Sequence, residues 1–150
     1  MTRVRSTVLA VALAALTTCA LDAVGQPAFA LTRVELVFQS GRGDITVPLR
    51  YPDLRVYATL HFAGSGVLRA QWRVDGRILG AVVEPVVFGE MLIFATPKGA
   101  SPFLPTFEPG LHRVTLEVTE PRPAFKLPEI TYFVTAEEWD DFKMRMEKRR

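Results

Sequence analysis

Few side chains in this sequence could carry out acid–base or nucleophilic chemistry. The 150 residues include two histidines, His61 and His112, and one cysteine, Cys19. A metal site or a catalytic base needs several such groups brought together, and no close His/Cys spacing occurs here. The sequence also lacks a Gly-x-Ser-x-Gly motif, which would indicate a hydrolase nucleophile. We therefore predict no catalytic residue, no cofactor and no metal ion.

Acidic residues cluster near the C-terminus, at Glu137, Glu138, Asp140 and Asp141. Calcium prefers oxygen ligands, but a calcium-binding loop carries them at alternating positions, and this segment does not. Carboxylates at the start of a helix interact favourably with the helix dipole. The cluster is therefore better explained as the beginning of a helix than as a metal site.

The charge balance argues against nucleic acid as a partner. The 18 basic and 16 acidic residues leave a formal net charge of +2. Lys and Arg are not concentrated in a large basic stripe, whereas nucleic-acid-binding proteins cluster these residues on one surface. We therefore expect no nucleic-acid partner.

The first thirty residues have the order of a secretory signal peptide. Arg3 and Arg5 give a positive start, residues 8–16 form an uncharged apolar run, and small residues follow. The apolar run is too short to span a bilayer of about 30 Å as a helix. We expect residues 1–30 to hold a signal peptide that is cut somewhere at positions 20–30. The mature chain would then be periplasmic or secreted.

Cys19 leaves a second possibility open. Residues 16–19, Leu-Thr-Thr-Cys, are similar to the bacterial lipobox, in which the cysteine is lipidated and becomes the first residue of the mature protein. Thr18 departs from the usual Gly, Ala or Ser. Only in that case do we expect membrane attachment, as an outer-membrane lipoprotein. Otherwise the mature chain has no cysteine, and its stability must come from an ordinary core without disulfides.

Apolar residues recur with a period of two along three stretches, at 34–38, 54–62 and 68–74. Successive side chains of a strand point to opposite faces, so each stretch has one buried and one exposed side. One-sided burial is typical of antiparallel sheets. Similar segments predict further strands at 44–48, 78–83, 90–95, 111–118 and 129–135.

The two histidines have different expected environments on these strands. His61 is in phase with Thr59 on the polar side of its strand, whereas His112 is in phase with Val114 on the apolar side. We predict that His61 is exposed, that His112 is partly buried, and that both are structural.

The connections between the strands favour an all-β architecture. Asp75-Gly76 lies between two apolar-rich runs, where this pair is a strong signal for a type I′ hairpin turn. Seven or eight short strands with no helix between them are typical of a sandwich or a small barrel. We predict an immunoglobulin-like antiparallel β-sandwich over residues 31–135, with Trp72 in its core because it is in phase with Leu68.

A short C-terminal helix is predicted at residues 136–150. Thr135 and Glu138 have the spacing of a capping box. One face of the helix would carry an apolar stripe formed by Trp139, Phe142 and Met146. Because so short a helix is marginal in water by itself, the stripe either covers the domain's own sheet or enters a groove of a partner.

Three segments resemble bacterial immunoglobulin-like modules of the CARDB and fibronectin type III types. They are residues 72–76 (Trp-Arg-Val-Asp-Gly), 104–106 (Leu-Pro-Thr) and 109–116 (Pro-Gly-Leu-His-Arg-Val-Thr-Leu). In those families a strand with a buried aromatic residue enters an Asp-Gly hairpin, and a Pro-Gly turn leads into a late core strand. The cysteines that bridge the sheets of antibody domains are missing here. The resemblance implies binding, adhesion or assembly in a cell envelope.

The proline-rich connection at residues 97–110 contains Phe103, Leu104 and Phe107, although loops are ordinarily polar. Rigid aromatic residues lose little conformational entropy on binding, so this loop suits a partner contact. Alternatively, Phe103 and Phe107 plug the open end of the sandwich. The candidate partner contacts are Phe103, Leu104, Phe107, Trp139, Phe142 and Met146.

These features together predict an exported, non-enzymatic immunoglobulin-like module that binds another cell-envelope protein or supports an envelope assembly. A partner strand could also be added to an exposed edge of a sheet. The alternative is a small β-barrel that carries an apolar ligand in a deep cavity.

Overall fold

A computed structural model describes residues 27–87, 91–96 and 103–149 of the chain. Cys19 and the greater part of the predicted signal peptide lie outside the described residues. The described residues form eight strands and one helix: β1 Ala30–Phe38, β2 Asp44–Leu49, β3 Val56–Ala63, β4 Gly66–Val74, β5 Arg77–Val86, β6 Met91–Ala95, β7 Gly110–Glu120, β8 Glu129–Glu138 and α1 Trp139–Glu147. Each strand predicted from the apolar pattern is confirmed, with its ends shifted by a few residues.

The strands form two sheets around one core. One sheet has the order β1-β3-β6 and the other has the order β2-β8-β7-β4-β5. Val34 pairs with Leu60 across β1 and β3, and Trp72 pairs with Leu116 across β4 and β7. All four side chains are buried in the same cluster, because the inward faces of both sheets share it. The predicted immunoglobulin-like β-sandwich is confirmed.

The small β-barrel proposed as an alternative is wrong. Among the described residues each sheet is open, with two edge strands, whereas a barrel closes on itself. The space between the sheets is filled by large buried side chains, among them Trp72, Phe38 and Tyr132. Trp72 meets Phe94 of the facing sheet edge to face, with ring centroids 6.0 Å apart. The fold therefore gives no support to a carrier of apolar ligands.

One strand pair departs from the antiparallel arrangement. β2 runs parallel to β8, with Asp44 beside Thr131 and Val47 beside Val134. The tight turn after Phe38 takes the chain from the edge of one sheet to the edge of the other, so β2 does not pair back onto β1. A period of two gives the face of each residue but not the direction of the neighbouring strand, so the sequence could not distinguish these cases.

The predicted Asp-Gly hairpin is confirmed. Asp75 and Gly76 both have positive φ, 50° and 79°, as a type I′ turn requires. The turn joins β4 to β5, and Val74 pairs with Arg77 across it. It lies at the end of the sandwich where the candidate site is found.

The C-terminal helix begins later than predicted, and the capping box does not form. β8 continues to Glu138, which pairs with Leu49 of β2, and α1 spans only Trp139–Glu147 without a side-chain cap. The ladder with β2 uses the backbone of the residues that would otherwise form the first turn. Glu137 instead forms a salt bridge with Arg145 at 2.8 Å. No helix in the described residues is long and apolar enough to cross a membrane.

Candidate functional site

Residues 103–109, here named the Phe107 loop, close one end of the sandwich before β7 begins. Hydrogen bonds fix its backbone at successive positions. The Leu104 N–H donates to the Leu54 carbonyl at 2.9 Å, and the Thr106 carbonyl accepts from the Arg50 N–H at 2.7 Å. The Thr106 hydroxyl donates to the Tyr51 carbonyl at 2.9 Å. A loop tied at these points presents its remaining side chains in a fixed arrangement.

Tyr132 holds the same loop from within the core. Its hydroxyl donates to the Pro105 carbonyl at 2.6 Å, and its ring is buried. Burial raises the pKa of the Tyr132 phenol well above its ordinary range, so the hydroxyl stays protonated and remains a donor. The apolar loop is therefore supported by a polar contact from β8.

The two central apolar residues of the loop have opposite environments. Leu104 is 2% exposed and belongs to the core, whereas Phe107 is 71% exposed. Leu104 therefore closes the end of the sandwich and has no surface to offer a partner. Phe107 does not plug the domain, so the plug interpretation is wrong for this residue. Phe103 is half-buried, with the Arg55 guanidinium 4.7 Å from its ring centroid.

Phe107 stands at the wall of a cleft of about 470 Å³. At the start of β5, Ile78 and Leu79 contribute further apolar surface. Polar groups come from the hairpin turn and from the start of β7. The lining residues are Val74, Asp75, Arg77, Ile78, Leu79, Pro105, Phe107, Glu108 and His112. Apolar walls with a few convergent polar groups are typical of binding clefts.

His112 is among the residues that line this cleft, and it uses both of its ring nitrogens. Nδ1 is 2.7 Å from Asp75 Oδ2, and Nε2 is 2.8 Å from the Glu108 carbonyl oxygen. A carboxylate and a carbonyl can only accept, so the ring that satisfies both is the imidazolium, which donates from each nitrogen. The other Asp75 oxygen accepts from the Arg113 N–H at 2.9 Å. His112 thereby joins the hairpin turn to the Phe107 loop.

The hydrogen bonds that His112 and Asp75 make shift the pKa of both groups. Burial would lower the pKa of His112, but the bonds to Asp75 and to the Glu108 carbonyl outweigh it, and the pKa rises above its ordinary 6.5. Burial would likewise raise the pKa of Asp75, yet the bonds from His112 and the Arg113 N–H hold it below 3.8. Both shifts favour the ion pair.

The stability of the folded protein should depend on pH through His112. Because the folded state raises this pKa, the stabilisation is complete below pH 6.5 and is lost as the pH rises through the folded value. We expect the free energy of unfolding to fall by up to about 1 kcal/mol more in the wild type than in His112→Gln above that range, since Asp75 is half-exposed. Urea unfolding at pH 5.5 and 8.5 measures this difference, with fixed salt as a control. Parallel pH profiles would contradict the ion pair.

The apolar stripe of the C-terminal helix divides between the domain and solvent. Trp139 packs edge to face on Tyr51, with centroids 5.0 Å apart, and Phe142 stacks on Trp139 at 5.7 Å. Met146 is exposed. The start of the helix therefore contacts its own domain, and its last turn leaves Met146 open.

Sequence reasoning found Phe107 but missed the β5 residues that line the same cleft. Ile78 and Leu79 were predicted only as part of the strand at 78–83, and Arg77 was not singled out. The signal available was the hairpin itself, because a tight turn at the end of β4 must lie at one end of the sandwich. The sequence did not indicate that the Phe107 loop reaches the same end.

The predicted absence of catalytic and metal sites remains a prediction. Within residues 27–87, 91–96 and 103–149, no three His, Cys, Asp or Glu side chains come together in a group that could hold a metal ion. His61 is half-buried on β3, so the prediction that it is exposed is wrong, and it is not among the residues that line the cleft.

Comparisons with known proteins give the fold and little else. No protein-family model matches the chain, and no curated protein matches it. A solved structure, the CARDB domain of a Pyrococcus furiosus protein in complex with di-metal ions, is similar with a TM-score of 0.50. The two chains are 13% identical, and the match covers 74% of this chain and 96% of that domain. The chain therefore has the fold of a CARDB-type immunoglobulin-like module, as its sequence resemblance implied.

Proposed function

We propose that this immunoglobulin-like domain is an exported, non-enzymatic module that binds another cell-envelope protein through the cleft beside Phe107. The observation that carries the proposal is the contrast between a loop backbone fixed by hydrogen bonds and a Phe107 side chain that is 71% exposed. An exposed aromatic ring on a mobile loop would lose entropy on binding. In this domain the loop is already ordered in the folded state, so binding would order little more. Rigid anchor residues of this kind are typical of strong interfaces.

The shape of the cleft suits an apolar side chain of a partner. Its apolar lining comes from the Phe107 loop, through Pro105 and Phe107, and from Ile78 and Leu79 of β5, while Arg77 and Glu108 lie among its polar groups. This combination would let an apolar residue enter between the walls while charges at the rim orient the partner. We infer a protein segment as the ligand, with an apolar or aromatic residue at its centre.

The geometry of His112 supports a role in structure over catalysis. A general base needs a free nitrogen lone pair toward its substrate, and an imidazolium with both N–H groups bonded internally has none. The di-metal ions of the Pyrococcus domain are not carried over to this chain, since no three His, Cys, Asp or Glu side chains come together among the described residues.

Export is supported by the leader pattern, and the packing of Phe29 narrows where the leader would be cut. Phe29 stacks on Phe62 with centroids 5.5 Å apart, and its ring occupies the space that a Cβ on Gly66 would need. Removal of residues up to Ala30 would strip this contact from the sandwich. We infer a cut before Phe29, and the intact mass of the exported chain should retain Phe29. A mature start at Leu31 would overturn this inference.

The binding role is tested by a photo-crosslinking amino acid at position 107 in the native host. We expect one dominant envelope protein to be captured after irradiation. The matched control is position 93, because Ile93 is 61% exposed but belongs to β6 of the other sheet. Equal capture at both positions, or none at position 107 in an exported and folded chain, would contradict the proposal.

The captured protein then gives a direct measurement of Phe107. Phe107→Ala should weaken binding of the purified partner at least about thirtyfold, the range of an interface hot spot. The same variant should unfold within about 0.5 kcal/mol of the wild type, because substitutions on exposed surface cost little. Unchanged affinity would show that the captured protein contacts the loop without depending on it.

A further inference from the structure

Strand β5 is a long edge strand whose central residues carry neither the charge nor the proline that ordinarily protect such edges. Its ten residues pair with β4 on one side, and in the described residues no strand pairs with the other side. Residues 78–83, Ile-Leu-Gly-Ala-Val-Val, carry no charge. Ile78 and Val83 are exposed on the outer face of the sheet. A long, apolar edge of this kind is a template for pairing with another strand.

The other three edges of the sandwich are protected in recognised ways. β2 has six residues, contains Pro48, and lies beside helix α1. β6 has only five residues. β1 carries Arg33 and Glu35 at exposed positions. Short length, proline and charge each discourage strand addition. β5 also contains Pro85 and two charged residues, Arg77 and Glu84, but these lie near its ends and leave the apolar residues 78–83 open.

The charged residues of β5 also differ from those of the neighbouring strands in their salt bridges. On β4 and β7, each arginine and glutamate forms a salt bridge: Arg69 with Glu120, Arg73 with Glu117, and Arg113 with Glu129. Arg77 and Glu84, near the two ends of β5, form no salt bridge within the described parts of the chain, and both are exposed. A positive end and a negative end make this strand complementary to an antiparallel copy of itself.

We propose that β5 pairs with β5 of a second copy of this chain, antiparallel and about a two-fold axis near Gly80 and Ala81. The pairing would join two five-stranded sheets into one continuous sheet and satisfy the free backbone groups of both edges. The apolar residues of each copy would face those of the other. Each Arg77 would lie near the partner's Glu84.

The same arrangement places the two Phe107 clefts at opposite ends of the shared interface. Arg77 lines the cleft, so the partner's Glu84 would contribute a charge to its rim. The dimer does not depend on the proposed partner of Phe107. Failure of either proposal is distinguishable, because one is read from the oligomeric state of the pure protein and the other from capture at position 107.

Sedimentation of the purified chain, in the form the host produces, tests the dimer. We expect a reversible monomer–dimer equilibrium with a dissociation constant somewhat below about 1 mM. An edge-strand interface is small, and small interfaces bind weakly. Val83→Lys should weaken dimerisation at least about tenfold, because it places a charge against the apolar residues of the second copy and close to Arg77 of that copy. The matched control is Ile93→Lys, because Val83 and Ile93 are 56% and 61% exposed on different sheets. Dimerisation of the Ile93→Lys control should be unchanged.

Charge exchange gives the sharper test of strand direction. Arg77→Glu and Glu84→Arg each create two like-charge contacts in a dimer of identical chains, so each variant should dimerise at least about tenfold more weakly. An equimolar mixture should recover a dimer, because both contacts are then between opposite charges. The Arg77→Glu/Glu84→Arg double variant should recover it as well. A wild type that stays monomeric at concentrations up to about 1 mM would overturn the proposal. So would a dimer whose affinity is unchanged by all of these substitutions.

Discussion

Replacement of Trp72 by alanine should lower the free energy of unfolding by about 3–5 kcal/mol, as for other large aromatic residues truncated in a core. Trp72 is fully buried on β4 and is the largest of the fully buried side chains. It pairs with Leu116 in its own sheet and meets Phe94 of the facing sheet, so the truncation leaves a cavity that both sheets border. The total stability of a domain is commonly about 5–15 kcal/mol, so this one change removes a large part of it.

A second variant separates cavity formation from the polar end of the side chain. The Trp72 indole Nε1 is buried and has no hydrogen-bond partner in the described structure. An unsatisfied buried donor costs about 1–3 kcal/mol, so Trp72→Phe removes a penalty as well as volume. We expect Trp72→Phe to be clearly less destabilising than Trp72→Ala.

Chemical denaturation at one pH measures both variants, with Ile93→Ala as an exposed control expected within about 0.5 kcal/mol of wild type. A loss below about 1 kcal/mol for Trp72→Ala would mean that the core is not organised around this side chain.

The sequence was sufficient to predict the strands and their inward faces. Val34, Leu60, Trp72 and Val114 lie in the core because a strand buries alternate residues, and that period is readable without a structure. Strand order and direction depend on contacts between distant segments. The parallel pairing of β2 with β8 therefore had no local signal.

The C-terminal boundary was mispredicted for a related reason. Thr135 and Glu138 have the local spacing of a capping box. In the fold, however, Glu138 pairs with Leu49, a residue that lies far from it in the sequence. Local propensity is a weak preference, and a ladder with an existing strand outweighs it. The helix begins only where that ladder ends.

The candidate site shows the same division between local and distant information. Sequence reasoning selected Phe103, Leu104 and Phe107 because apolar residues are unusual in a proline-rich loop. It could not divide them into core and surface, since Leu104 and Phe107 are alike in hydrophobicity. Their separation follows from the hydrogen bonds that fix the loop against Leu54 and Tyr51, which only the fold brings together.

Leu104→Ala should lower the free energy of unfolding by about 2–5 kcal/mol, because it opens a cavity under a loop that cannot easily collapse. Its backbone N–H still donates to the Leu54 carbonyl, so the effect comes from the side chain alone. Phe107→Ala, three positions away in the same loop, is the matched control and should change stability by less than about 0.5 kcal/mol. Thermal and urea unfolding of the two variants under the same conditions measure the contrast.

The same pair of variants relates the loop's rigidity to binding. If the hydrogen-bonded loop prearranges Phe107, Leu104→Ala should also reduce crosslinking from position 107 under conditions where the variant is still folded, because a loosened loop must be ordered on binding. Phe107→Ala would remove the contact itself and leave the loop as rigid as before. Equal losses of stability in both variants would contradict the assignment of Leu104 to the core. Full crosslinking in a folded Leu104→Ala chain would show that Phe107 does not need the anchor beneath it.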